Sequence, residues 1–248
     1  MSQHTSIRLP LEECGEPNAG FWNRNDPSNL YQRDKLLQLG SKFTVQADLA
    51  LVIHGSETPS GDPATLIYIK YDFVSESRTR HFRGAAIEFR FFTKARSGTT
   101  PVLEPEVAGG SITREISDTT HVQRKATIRG TKKSSDPYKY GINDIARWKI
   151  SENPTDPGIP TNFTTAVLLR RKTQDSFAAT IQIDAEIGAR YKLEQAWDKL
   201  WGNKPVVDPV YFNPSLEPRG SMPVPEGLDT QNLKEFWDNQ TIGSGAKV

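Results

Sequence analysis

The chain has little cysteine and no long apolar run. Its 248 residues include one cysteine, Cys14, which excludes an intramolecular disulfide framework, and nothing has the Cys/His spacing of a zinc site. The first residues, MSQHTSIRLPLEECGEP, lack the apolar centre of a signal peptide, and no segment approaches the roughly 20 apolar residues that span a bilayer. We therefore expect a cytoplasmic protein without a transmembrane segment.

A surplus of one charge sign is also lacking. The 31 Lys and Arg residues oppose 30 Asp and Glu residues, which leaves a formal charge of +1. No overall field then holds the protein on nucleic acid or on an anionic membrane. Any electrostatic site must be local, and nucleic acid is not an expected partner.

The short motifs that mark specific active sites are absent as well. The sequence contains no H-E-x-x-H, G-x-S-x-G, P-loop, glycine-rich dinucleotide turn or C-x-x-C. No cofactor is expected, and a binding protein is favoured over an enzyme. The alternative uses His54, His81 and His121, which fall at predicted strand ends, as metal ligands or bases on a jelly-roll or barrel scaffold. Ordinary turn histidines explain the same pattern.

What the sequence does have is two-residue alternation of apolar side chains. KFTVQADLALVIH places six apolar residues from Phe43 to Ile53 at period two, and ATLIYIKYDFV does the same for Ile67, Ile69, Tyr71 and Phe73. HFRGAAIEFRFF alternates again, with a bulge indicated at Gly84. Further strands are predicted at residues 110–117, 121–129, 144–151, 163–171 and 176–187. The pattern predicts an all-β fold: an antiparallel β-sandwich of the jelly-roll or C2-like type.

Three parts of the chain differ in composition. Residues 1–40 form a polar N-terminal arm with a short helix predicted within 30–39, and residues 41–190 form the sandwich. Residues 191–248 begin with an amphipathic helix that carries Trp197 and Trp201, continue into a proline-rich tail, and end in a short helix at 230–238 that docks through Leu233, Phe236 and Trp237.

The exit from one predicted strand is rich in proline. ARWKISENPTDPGIP runs from a strand into Pro154, Pro157 and Pro160, which cannot donate to a central ladder. The prolines lower the ordering cost of the connection. It is either a stiff crossover or a preformed recognition loop that presents Glu152, Asn153, Thr155 and Asp156.

The most asymmetric charge run is RKATIRGTKK. It supplies the candidate binding residues Arg124, Lys125, Arg129, Lys132 and Lys133, which could bind phosphates or lipid head groups. Solvated charges that discourage edge pairing are the alternative.

The succession TLIYIKYDFV, RHFRGAAIEFRF, PEVAGG, ARWKISENP, GIP, TTAVLLRR, FAATIQIDAEIG and KPVVDPVYFNP resembles a set of β-rich proteins from filamentous fungi, over residues 41–214. The resemblance implies the β-rich fold and no particular activity.

From these observations we expect a non-catalytic binding module, with contacts to a protein or a small anionic ligand on loops at one end of the sandwich. A peripheral module for anionic lipid or phosphate and a metal-dependent enzyme remain alternatives. An exposed edge strand could support a homodimer.

Overall fold

The computed structural model describes residues 24–40, 43–77, 80–93, 103–107, 110–116, 122–135, 143–155, 157–188, 191–192 and 207–243. These contain twelve β-strands and one α-helix. They are β1 (Lys35–Leu39), β2 (Phe43–Ser56), β3 (Pro63–Ser75), β4 (Phe82–Phe92), β5 (Leu103–Val107), β6 (Gly110–Ile116), β7 (Val122–Lys133), β8 (Ile145–Glu152), β9 (Asn162–Arg171), β10 (Phe177–Ile187), β11 (Tyr191–Lys192), β12 (Val210–Phe212) and α1 (Leu233–Gly243).

The strands form two antiparallel sheets. The five-stranded sheet has the order β1-β2-β3-β9-β5, and the seven-stranded sheet has the order β11-β10-β4-β8-β7-β6, with β12 also paired to β10. The chain crosses between sheets from β3 to β4, from β4 to β5, from β5 to β6, from β8 to β9 and from β9 to β10. Such crossings belong to Greek-key and jelly-roll topologies. The predicted all-β antiparallel sandwich is confirmed.

The main core lies between the sheets and follows the predicted alternation. Ile67, Ile69, Tyr71 and Phe73 of β3 are all buried in it, and every second residue of β10 from Phe177 to Ile187 is buried as well. Trp148 on β8 is fully buried at the centre of the facing sheet. Because buried apolar area is the main favourable term in folding, this shared interior holds the two sheets together.

The prediction that the six apolar residues from Phe43 to Ile53 share one face of β2 is wrong. A β-bulge interrupts the pairing of β2 with β3 between Leu49 and Leu51, so one residue is inserted and later side chains change faces. Leu49 and Val52 face the main core, whereas Leu51 and Ile53 belong to a second cluster on the outer face of the five-stranded sheet.

That outer face is covered by the C-terminal segment. Leu233 and Trp237 of α1 pack against Leu51, Ile53 and Leu66, with Phe236 half-buried beside them. The docking predicted for the short helix at 230–238 is therefore confirmed. Upstream of α1, Arg219 exchanges backbone hydrogen bonds of 2.8 and 3.1 Å with Val52, so the segment also lines the edge of β2.

Two helices are predicted elsewhere, one within residues 30–39 and one after residue 190. The helix predicted within residues 30–39 is wrong, because Lys35–Leu39 is a strand paired with β2. Leu36 and Leu37 are buried in the main core, which extends the sandwich into the predicted arm. The amphipathic helix predicted after residue 190 falls outside the described residues except for Tyr191–Lys192, which pair with β10 as a strand.

Candidate functional site

The structure places two of the three strand-end histidines at opposite ends of the sandwich. His54 makes an edge-on contact with Phe177, at the start of β10, with ring centroids 6.4 Å apart. His81 precedes Phe82, which pairs with Ile187 at the other end of β10. The 11 residues of β10 separate the two histidines by about 30 Å at the usual strand rise. A single site that uses both is therefore ruled out; His121 lies outside the described residues.

Metal ligands do not gather elsewhere in the described ranges either. Within those ranges no group of three or more His, Cys, Asp or Glu side chains could hold a metal ion.

No described helix is long and apolar enough to cross a membrane.

His54 belongs to a buried polar cluster that closes one end of the core. The amide nitrogen of Gln32 lies 2.7 Å from His54 Nε2 and donates to it. The imidazole proton on Nδ1 is then donated to Thr65 Oγ1 at 2.9 Å. Burial, with the nearby positive charge of Arg171, lowers the pKa of His54 from 6.5 to about 4. The imidazole is therefore neutral at physiological pH.

Arg171 brings a charge into the same cluster without a carboxylate partner in the described part of the chain. Its side chain donates to the backbone oxygens of Thr173 at 3.0 Å and Ala64 at 3.3 Å, and to Gln174 Oε1 at 3.3 Å. Burial lowers the pKa of Arg171 to about 10. All these acceptors are neutral groups.

The opposite end of the sandwich carries an open cleft. This end cleft has a volume of about 360 Å³ and is lined by Arg80, His81, Arg83, Glu152, Asn153, Pro154, Pro157 and Gly188. Its walls come from three connections, those that follow β3, β8 and β10. Loops at a sandwich end are where a rigid scaffold usually presents binding residues.

Glu152 joins these connections electrostatically. One carboxylate oxygen accepts hydrogen bonds from the Arg83 guanidinium. The other accepts from the backbone N–H of Gly158 at 2.8 Å and lies 3.8 Å from His81 Nε2. Burial acts to raise the pKa of Glu152, but the hydrogen bonds from Arg83 and Gly158 and the charges of Arg83 and His81 outweigh it and lower the pKa. Glu152 is held as an anion.

The proline-rich exit from β8 is fixed by the same contacts. Gly158 has a φ of 101°, a conformation that side-chain-bearing residues rarely adopt, and it turns the chain back so that its N–H meets Glu152. Ile159 then donates its N–H to Phe82 O at 2.9 Å. Asn153 Oδ1 accepts from Thr155 N at 3.1 Å and from Thr155 Oγ1 at 2.9 Å. These contacts order the described part of the loop before any ligand binds, and the Glu152 side chain points inward. Asp156 lies outside the described residues.

A second depression continues from the end cleft onto the outer face of the seven-stranded sheet. This face groove has a volume of about 570 Å³ and shares Arg83 and Glu152 with the end cleft. Its floor is β4, where Gly84 and Ala86 carry almost no side chain. The bulge predicted at Gly84 is present, because Gly84 pairs with Glu186 and Phe82 with Ile187, which leaves Arg83 as the extra residue.

The structure describes three side chains of the basic run that is predicted as a binding site. Arg129, Lys132 and Lys133 are exposed on β7, and Lys133 lies 3.4 Å from Glu88. The side chains of Arg124 and Lys125 lie outside the described part of the structure. Arg129 pairs in register with Lys149 of β8. Like charges opposite each other on neighbouring strands are destabilising.

Sequence reasoning missed the two basic residues of β8 that extend this run. Arg147 and Lys149 alternate with the buried Ala146, Trp148 and Ile150, so their outward direction could be read from ARWKIS. Their position beside β7 depends on strand pairing, which the sequence does not give.

No protein-family model and no curated protein matches the chain.

Proposed function

We propose that this protein is a non-catalytic binding module whose ligand or partner contacts the end cleft. The observation that carries the proposal is the fixed loop at residues 152–155 and 157–160, held by Glu152, Gly158 and Ile159 against the start of β4. A loop that is ordered before binding loses little conformational entropy when a partner arrives. The proposed ligand is a protein or a small anionic molecule. We also propose that the module is a cytoplasmic protein of a filamentous fungus.

The same contacts argue for binding rather than proton transfer at this end. A general base works best with a pKa near the operating pH, whereas the pKa of Glu152 is lowered below its ordinary value. Its two oxygens are already used by Arg83 and by the Gly158 N–H. The carboxylate positions its neighbours and orders the loop.

A fragment screen by NMR tests the proposal. The probes are small carboxylates, phosphates, amides and guanidinium compounds added to the ¹⁵N-labelled full chain. We expect amide shifts to concentrate at residues 80–83, 152–158 and 188. Shifts concentrated on another surface, or no localised shift at all, would contradict the proposal.

A matched pair of double variants controls for charge. Arg83→Ala with Glu152→Ala removes both partners of the cleft ion pair, so neither charge is left unpaired. Lys172→Ala with Asp62→Ala does the same for an exposed 2.7 Å pair at the His54 end of the sandwich. The first variant should weaken fragment binding by about tenfold, which corresponds to roughly 1.4 kcal/mol, and the second should leave it unchanged.

A phosphate or anionic head group is a second candidate ligand. It is favoured by the in-register pair Arg129 and Lys149, for which the described residues supply no carboxylate contact. Vesicle flotation with and without anionic lipid tests it: salt-sensitive flotation that Lys149→Gln reduces supports this candidate, and equal behaviour on neutral vesicles opposes it.

A further inference from the structure

The face groove holds charges of opposite sign on its two walls. Its lining includes three basic residues, Arg83, Arg147 and Lys149, and three acidic residues, Glu152, Asp184 and Glu186. Some of these charges are already used. Arg83 is bonded to Glu152, and Arg147 Nε lies 3.2 Å from Glu88 Oε1.

Three charges remain without an ion pair in the described part of the chain. Lys149 stands on the β8 wall, and Asp184 and Glu186 stand on the β10 wall. Among the described residues, Asp184 accepts two long hydrogen bonds of 3.4 Å, both from the Gln182 amide. Glu186 acts at a distance on Arg83, whose pKa is raised chiefly by Glu152 and to a smaller extent by Glu186. Among the described side chains, the β10 wall therefore keeps a negative surplus.

Strand register fixes how far apart these walls are. Asp184 pairs with Ala86, and Ala86 pairs with Lys149, so the three residues form one row across the sheet. Two strand spacings separate the backbones of Asp184 and Lys149 by roughly 10 Å. Side chains stand nearly perpendicular to a sheet, and only the methyl group of Ala86 rises between the walls in this row. A short aspartate and a lysine across that gap do not form a direct ion pair.

We propose that the face groove binds a small zwitterion, with its ammonium group at Asp184 and Glu186 and its carboxylate or phosphate group at Lys149. This inference deepens the proposed binding function and rests on it. With both side chains perpendicular to the sheet, the two wall charges are also roughly 10 Å apart. A charge-assisted hydrogen bond of about 3 Å at each wall then leaves about 4 Å between the ligand's two charges. That spacing favours β-alanine, γ-aminobutyrate or O-phosphoethanolamine over glycine.

Isothermal titration of the full chain, with NMR shifts to locate the site, tests the inference. The probes are these three zwitterions, glycine, and the singly functional halves propionate, ethanolamine and inorganic phosphate. The best zwitterion should bind at least about tenfold more tightly than either of its halves and more tightly than glycine. Shifts should centre on residues 84–86, 147–151 and 182–186.

Variants separate the two walls. Asp184→Asn with Glu186→Gln should abolish the advantage of the zwitterion without weakening phosphate binding, because the two carboxylates repel an anion. Lys149→Gln should weaken phosphate and zwitterion but not ethanolamine. Lys70→Gln, on the other sheet and 3.1 Å from Asp72, should change nothing.

Equal affinity for phosphate and O-phosphoethanolamine would overturn the inference, as would the absence of zwitterion shifts in the groove. If fragments still bind at the end cleft in that case, the proposed function stands without this ligand class. Loss of fragment binding at the cleft together with zwitterion binding in the groove would move the site to the sheet face.

Discussion

Protonation of His54 should destabilise the folded protein in mildly acidic solution. The imidazole is packed against Phe177 and hydrogen-bonded to Gln32 and Thr65. A proton would place a second positive charge beside Arg171, which already lacks a carboxylate contact among the described residues. Desolvation and that like charge both oppose protonation in the folded state.

The size of the effect follows from proton linkage. The pKa of His54 is about 4 in the folded protein and 6.5 in the unfolded chain. Between those values the unfolded chain binds a proton that the folded protein does not, so the free energy of unfolding falls as the pH falls from 6.5 toward 4. Between pH 7.5 and pH 5 the loss should be about 2 kcal/mol for the shift of His54 from 6.5 to about 4.

Urea unfolding at pH 7.5 and pH 5 measures this loss. The lower limit stays above 4.5, the ordinary pKa of glutamate, so carboxylates with lowered pKa values, such as Glu152, keep their contribution. His54→Gln should have a lower stability at pH 7.5, because it loses ring packing, but a pH difference smaller by about 2 kcal/mol. His81→Gln keeps His54 and should retain the pH difference attributed to it. An identical loss in wild type and His54→Gln would refute the reasoning.

Three further perturbations test the packing. Gly220→Ala should lower the free energy of unfolding by more than about 2 kcal/mol, because its Cβ would lie 2.2 Å from a backbone oxygen at a φ of 151°. In the control Gly227→Ala, the Cβ meets nothing within 4 Å, and the change should cost only about 1 kcal/mol of backbone strain. The urea midpoints of the two variants are compared. Trp237→Ala should cost roughly 3 kcal/mol and reduce the helical circular dichroism signal while the near-ultraviolet signal of buried Trp148 persists. Glu152→Gln should speed hydrogen exchange at the Gly158 amide by about tenfold, with unchanged exchange there counting against the proposed role of the glutamate.

The alternation within single strands could be predicted from the sequence because it is a local property. Ile67, Ile69, Tyr71 and Phe73 are buried together as their spacing indicates. The same rule failed on β2, because Leu49, Ala50 and Leu51 are all apolar and the two-residue pattern runs through the bulge unmarked. Which face each residue takes depends on the C-terminal segment, whose Met222 donates to Ala50 O at 2.8 Å.

Short edge strands were also missed. Lys35–Leu39 has five residues, all of them with good helix propensity, and only its pairing with β2 makes it a strand. Leu103–Val107 contains Pro105, which argues against a central strand but is tolerated at a sheet edge. In both cases the tertiary context overrides the local preference.

In the candidate site, too, local features could be predicted from the sequence and features that depend on strand pairing could not. The proline-rich loop could be predicted as a stiff connection, since prolines act locally. The face groove could not, because Asp184, Ala86 and Lys149 come from three strands that are distant in sequence and are placed in one row by register alone. The predicted basic run covered one neighbour of that row, Arg129, and left out both groove walls.

The C-terminal cover of the five-stranded sheet also bears on the order of events during synthesis. Residues near 50 leave the ribosome long before Leu233 and Trp237, which shield Leu51 and Ile53. A nascent chain that ends before residue 230 therefore leaves this apolar sheet surface exposed to solvent. Chaperone occupancy on stalled chains of increasing length should fall when α1 emerges, because α1 covers the apolar surface that Leu51 and Ile53 form.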